Sequence, residues 1–295
     1  MPSGPVAAAL AYLLWGLFPL YFKQVAAAHP LEVVLHRAVW ALVFLLVLLA
    51  AMRRLSGVFA ALRQPRVVAL FALSALLLSA NWMLYVWAVV NDHVIDASLG
   101  YFINPLVSVM LGALVLHERL RRAQWLAVGL AAGGVLWLTL VAGQLPWIGL
   151  VLALSFGVYG LIRKTAPLGT LDGLTLETLL LAPLSVPLLA AWTWTGTSAF
   201  VQGDAALRLW LILGGPLTAV ALLLFAAGAR RVTLTTLGLI QYISPTLQFA
   251  LGVWLYREPF ETSRLVGFAC IWAALAFYSA ECLWFAHRRL AAAQS

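Results

Sequence analysis

Apolar stretches of about twenty residues, the length a helix needs to cross a hydrocarbon slab, recur along nearly the whole chain, and its charges are mostly confined to the short breaks between them. The runs fall near 6–27, 31–52, 67–90, 94–116, 122–141, 147–163, 173–192, 207–228, 233–256 and 264–285. With 64% hydrophobic and 9% charged residues there is too little charge to cover a water-facing surface, since soluble domains carry about 25% charged residues. The pattern predicts an all-α integral membrane protein of ten transmembrane helices with no extramembrane domain.

The formal net charge of +8 raises the question of an acidic partner. Its distribution answers it. If both termini are cytoplasmic, the inner loops and tail contain Arg53, Arg54, Arg63, Arg66, Arg119, Arg121, Arg122, Arg163, Lys164, Arg230, Arg231, Arg288 and Arg289, which is 13 of the 18 basic residues. The outer side keeps Lys23, Arg208, Arg257 and Arg264, and Arg37 falls inside a span. Such a bias orients a protein in the cytoplasmic membrane with an even number of spans and both ends inside. No basic stripe with interleaved aromatics is present, so nucleic acid is not an expected partner; lipid and a small-molecule solute are.

Several chemistries are missing from the sequence. Cys270 and Cys282 are separated by about 18 Å along one helix, too far for a disulfide. His117-Glu118 is followed by Arg119-Leu120-Arg121, without the second His of a zinc protease motif. No phosphate-binding loop occurs, and neither a cofactor nor a metal is expected. The first run ends in Ala26-Ala27-Ala28 like a signal peptide, but no basic residue precedes it and it is longer than the usual apolar core of about 7–15 residues. It is retained as a span.

The chain also repeats itself at an interval near 140 residues. Ile103-Asn104-Pro105 lies over Ile243-Ser244-Pro245, Gly112 over Gly252 and Glu118 over Glu258; nearer the start, Trp15-Gly16 falls on Phe156-Gly157 and Lys23 on Lys164. Each copy holds five spans, an odd number, so residues 142–295 must lie upside down relative to residues 1–141. Inverted halves with a solute site between them are a recurrent plan of secondary transporters. The alternative is chance similarity among helices rich in Leu, Ala and Gly.

Within this plan a few residues stand out chemically. Pro105 and Pro245 sit about twelve residues into their spans, near midplane, and each loosens the carbonyl four residues earlier, at Tyr101 and Gln241. Irregular backbone at that depth is tolerated where protein buries it or a watery cavity meets it. Either a path-lining kink or a purely structural one satisfies that condition. Arg37 lies about 9 Å below the outer surface, and Glu177 holds the repeat-equivalent place near the inner one. Ionisable residues at such depth mark pathways unless they snorkel or pair within the bundle. Asn81, Trp82 and Tyr85 share one helical face that mixes hydrogen-bonding groups with flat aromatic surface. That face suits a small amphipathic solute, and equally suits interhelical contact. Gly129 and Gly133 form a GxxxG pair that permits close helix contact, within a protomer or in a homodimer.

The stretch from Asn81-Trp82 through Tyr85-Val86-Trp87 to Leu99-Gly100-Tyr101-Phe102-Ile103-Asn104-Pro105, the pair His36-Arg37, and Gln241-Tyr242-Ile243-Ser244-Pro245 resemble the RarD group of EamA-type proteins in the drug/metabolite transporter superfamily. Ser244 stands where many of these proteins have Ala. The resemblance implies an inner-membrane permease of two inverted EamA repeats with both termini inside. It also implies an association with chloramphenicol sensitivity and kinship with exporters of amino acids and other metabolites, without naming a substrate.

The combined expectation is an alternating-access transporter, not an enzyme. A non-transporting sensor or scaffold is the alternative, and no nucleophile–base pair or metal cluster supports an intramembrane enzyme. His36, Arg37, Asn81, Trp82, Tyr85, Tyr101, Asn104, Gln241 and Tyr242 are the candidate solute-binding residues, with Arg37 attracting an anionic group. Glu177 is the candidate group for coupling to H+, since withdrawal from water disfavours the charged form of a carboxylate.

Overall fold

The computed structural model describes residues 3–91, 94–143, 147–255 and 262–292, and the regular elements among them are helical without exception. They are α1 (Gly4–Gln24), α2 (Pro30–Ala51), α3 (Leu55–Leu62), α4 (Pro65–Val90), α5 (Val94–Leu114), α6 (Arg122–Ala142), α7 (Trp147–Thr165), α8 (Thr170–Trp194), α9 (Ala199–Gln202), α10 (Ala205–Ala229), α11 (Leu234–Gln241), α12 (Ile243–Ala250) and α13 (Thr262–Ala292). Seven of these, α1, α2, α4, α6, α7, α8 and α10, are long and apolar enough to cross a membrane. Proline at the first or second position starts α1, α2 and α4, where its missing N–H costs nothing. The chain is a multi-pass membrane protein.

Close packing is built on small residues. Gly215 of α10 lies against the backbone of Trp40 and Ala41 in α2, and Gly228 lies against Ala8 of α1. Gly238 of α11 crosses α5 at the carbonyl of Pro105. α5 also packs on α7, and α6 on α13. The central core joins Tyr12, Leu45, Tyr159, Leu174, Leu222 and Phe225, all buried. Inside it Tyr12, Trp15, Phe156, Tyr159 and Phe225 form a ring cluster with centroids 5.3–6.1 Å apart.

Several connections meet at one end of the bundle. Gly4 packs against Arg231, Arg54 Nη2 donates to Asp172 Oδ2 at 2.9 Å, and Arg121 Nη1 donates to Glu281 Oε1 at 2.8 Å. Arg230 Nη1 donates to the carbonyls of Ala166 and Leu168, and Lys164 Nζ to those of Ala229 and Val232. The Glu118 carboxylate receives the N–H groups of Leu234 and Thr235 at 2.7 and 3.0 Å and the Thr235 hydroxyl at 2.9 Å, which caps α11. Its repeat counterpart Glu258 lies outside the described residues.

Two short helices, α3 and α9, occupy stretches that the sequence marks only as breaks between spans. The stretch read as one span over 233–256 is divided after Gln241: α11 ends there, α12 follows, and a π-helical turn covers Leu251–Leu255. The break falls at the carbonyl that the Pro245 ring displaces. α5 remains a single helix through Pro105.

Candidate functional site

A cavity of about 420 Å³ lies between α1, α2, α4, α5, α7, α10 and the broken α11–α12 segment, and reaches toward the α1–α2 connection through Val25, Ala26, Ala28 and Pro30. Tyr12, Trp15, Phe156 and Leu222 line it on the side of the central ring cluster. It therefore approaches the end of the bundle opposite the one where Arg54 and Asp172 pair.

Arg37 is the chemically decisive group. Its carbon Cζ stands 4.9 Å from the centre of the Trp82 ring, 5.2 Å from that of Phe18 and 5.6 Å from that of Phe22. Nε donates to Thr218 Oγ1 at 2.9 Å, and Thr218 in turn donates to the Gly214 carbonyl at 2.7 Å. Only 7% of the residue is exposed, and among the described residues no carboxylate pairs with it. Aromatic faces lower the cost of holding a cation out of bulk water, but they do not neutralise it.

The remaining polar wall is made of neutral groups. Asn81 Nδ2 donates to the Leu152 carbonyl and to Ser155 Oγ, both at 2.8 Å, so its carbonyl oxygen is the part of the amide left for the cavity. Gln248 Nε2 donates to the Trp15 carbonyl at 3.2 Å. Asn104 is 5% exposed and its Oδ1 has no partner among the described residues. Tyr85 and Tyr101 meet edge to face at 5.9 Å, and Gln241 accepts a long bond from the Tyr12 hydroxyl. One guanidinium, a set of amide oxygens and several ring faces can bind a molecule with an anionic group, hydrogen-bond donors and an apolar body.

Of the sequence candidates, Arg37, Asn81, Trp82, Tyr85, Tyr101, Asn104, Gln241 and Pro245 line this cavity. His36, Tyr242, Pro105 and Glu177 are not among its walls. The His36 ring stacks on Phe200 at 4.9 Å, takes the Trp40 Nε1–H at 3.2 Å and lies 3.7 Å from Glu32. Glu32 is occupied in turn by Ser198 and by the N–H groups of Ala199 and Phe200 at the start of α9. Tyr242 is fully buried and donates to the Phe102 carbonyl at 3.2 Å. Glu177 accepts from Ser74 Oγ and, at 3.4 Å, from Arg163 Nη1. The sequence reading did not single out Tyr12, Phe18, Phe22 or Thr218. Tyr12, Phe18 and Phe22 fall with Trp15 at helical spacing, the one signal in the sequence that marks them, and Thr218 has none. No group of three or more His, Cys, Asp or Glu side chains suited to a metal occurs among the described residues.

The model of the EamA-like transporter family matches residues 2–140. An uncharacterized transporter of Pseudomonas aeruginosa is 48% identical over 97% of this chain and 96% of its own length. Protein RarD of Escherichia coli is 43% identical over 96% of this chain and 95% of its own. The chloramphenicol-sensitive protein RarD of Pseudomonas aeruginosa is 32% identical over 92% of both chains. Among solved structures, a crystal structure matches with a TM-score of 0.72, covering 94% of this chain and 98% of that one at 21% identity, a likeness of fold alone.

Proposed function

Because the chain belongs to the EamA-like transporter family, in the group that includes the RarD proteins, we propose that it is a secondary transporter working by alternating access, which moves a small polar or amphipathic metabolite such as an amino acid or organic acid. The observation that carries this reading is Arg37, a charge without a carboxylate partner among the described residues, on the wall of a cavity with an otherwise neutral lining. A cargo carboxylate supplies the missing partner, Asn81, Tyr85, Tyr101, Asn104 and Gln241 hydrogen-bond the rest of the cargo, and Trp82 forms an apolar wall.

In this reading α1, α2, α4, α5 and α6 are the spans of one half, and α7, α8, α10, α11–α12 and α13 those of an inverted second half. α3 and α9 do not span. Both termini face the cytoplasm, a reading supported by the basic residues concentrated in the inner loops and by the contact of Gly4 with Arg231 at that end. The cavity then faces outward, and inward opening requires release of the Arg54–Asp172 pair and of the Glu118 cap on α11. Coupling to H+ through Glu177 requires the Arg163–Glu177 bridge to open in the same step.

The test is a thermal-shift screen of the purified protein against amino acids and organic acids, followed by uptake of the best ligand into proteoliposomes. Saturable uptake that Arg37→Ala abolishes is expected. Uptake of that ligand at the wild-type rate by Arg37→Ala would sink the proposed site. Uptake by Glu177→Gln with unchanged dependence on a pH gradient would remove Glu177 from coupling.

A further inference from the structure

The eight residues of α3 connect the end of α2 to the start of α4, two helices of membrane-spanning length. α3 therefore lies at the boundary between hydrocarbon and water. One side of it is anchored in the protein: Val58 and Ala61 are buried, and Ala61 joins a cluster with Phe71, Ala166 and Leu176. Phe59 and Leu62 of α3 are 59% and 37% exposed, and Met52, in the turn that leads into it, is 49% exposed.

Arginines bracket this apolar surface. Arg53 and Arg54 precede α3, and Arg63 and Arg66 follow it. Arg53 adopts a left-handed backbone, φ 55°, at the sharp turn out of α2. Arg54 is held by Asp172 at 2.9 Å. Arg53, Arg63 and Arg66 are exposed and have no acidic partner among the described residues.

We propose that α3 and these three arginines form a binding surface for anionic phospholipid headgroups. Exposed aromatic and aliphatic side chains beside free guanidinium groups, at the depth where acyl chains meet phosphates, match both parts of a lipid at once. A soluble acidic protein would satisfy the arginines and leave Phe59, Met52 and Leu62 unaccounted for. The guanidinium fork donates to phosphate oxygens in pairs, and juxtamembrane arginines are drawn to an anionic surface by roughly fivefold each. Because the same turn carries the Arg54–Asp172 pair to the first turn of α8, a captured headgroup also braces that end of the bundle.

The full chain, placed in nanodiscs of phosphatidylcholine with phosphatidylglycerol, tests this through the lipids it retains on release, read by native mass spectrometry. Preferential retention of phosphatidylglycerol is expected, with a fall of about tenfold or more when Arg53, Arg63 and Arg66 are all changed to Gln. The triple change to Lys should keep most of the preference. For the unmodified protein, raising the salt to about 1 M should weaken it, because screening shortens the reach of exposed charges. Unchanged retention in the Gln variant, a wild-type preference that ignores salt, or equal stabilisation by inorganic phosphate in phosphatidylcholine alone would each overturn the assignment.

Discussion

The Arg37 guanidinium lies 4.9 Å from the centre of the Trp82 ring, so a charge carried by α2 rests on an aromatic face carried by α4, and both line the cavity. Thr218, Phe18 and Phe22 also lie against it. A carboxylate entering this pocket gains a charge-assisted bond of about 1.5–3 kcal/mol. Arg37→Ala should therefore weaken the best carboxylate ligand by roughly ten- to a hundredfold, measured by titrated thermal shift at fixed salt. Arg37→Lys should recover only part of that loss, because an ammonium is a point charge and lacks the flat fork that both stacks and binds in pairs. A dissociation constant unchanged in Arg37→Ala would show that the cargo does not touch this group.

Glu118 offers a test of stability rather than binding. Its carboxylate satisfies two backbone N–H groups at the start of α11 and the Thr235 hydroxyl. Glu118→Ala leaves those donors without their acceptor, which should lower stability by about 1–3 kcal/mol and lower Tm in detergent. Glu118→Gln keeps one acceptor oxygen and should fall between the two.

How far such relationships could be seen beforehand depended on contrast. Arg37, Asn81, Tyr85 and Gln241 were visible because polar side chains are expensive within apolar runs, and all four line the cavity. Tyr12, Phe18 and Phe22 had no such contrast, since rings on an apolar helix are equally suited to lipid, core or cavity. His36 and Tyr242 show the same contrast, being polar and next to Arg37 and Gln241 in the same spans. A helix turns about 100° per residue, however, and the structure directs both away from the cavity. The seven helices of membrane-spanning length among the described residues follow from hydropathy, whereas α3 and α9 have eight and four residues, too few to show a period.

The glycines make opposite predictions according to what surrounds them. A Cβ at Gly215 would collide with the backbone of Trp40 and Ala41, and neither helix can yield there without losing the α2–α10 contact. Gly215→Ala should cost about 1–3 kcal/mol or more and reduce folded yield on size-exclusion chromatography. At Gly129 and Gly133 an added methyl group would meet nothing within 4 Å, so neither serves helix packing among the described residues of the protomer. Gly129→Ala and Gly133→Ala should be neutral or stabilising by up to about 1 kcal/mol from helix propensity. A marked loss of stability in both variants, accompanied by loss of a dimer peak, would place that face in an interface between two copies.

Arg163 and Glu177 lie 3.4 Å apart with side chains 2% and 1% exposed, and each has a further tie: Arg163 donates to the Thr170 carbonyl and sits over the Phe71 ring, while Glu177 accepts from Ser74. Such a pair is costly to break and not especially costly to replace. Arg163→Ala leaves a buried carboxylate without its cation and should destabilise by about 3–5 kcal/mol. Changing both residues to Met should cost much less than the sum of the single changes, a non-additivity that a double-mutant cycle by thermal or denaturant unfolding measures directly. If Glu177→Gln proves as damaging as Arg163→Ala, the pair is a structural clamp in every state. If Glu177→Gln folds well and only the pH dependence of transport is lost, then the bridge opens during the cycle, and the carboxylate it releases is the one that exchanges a proton.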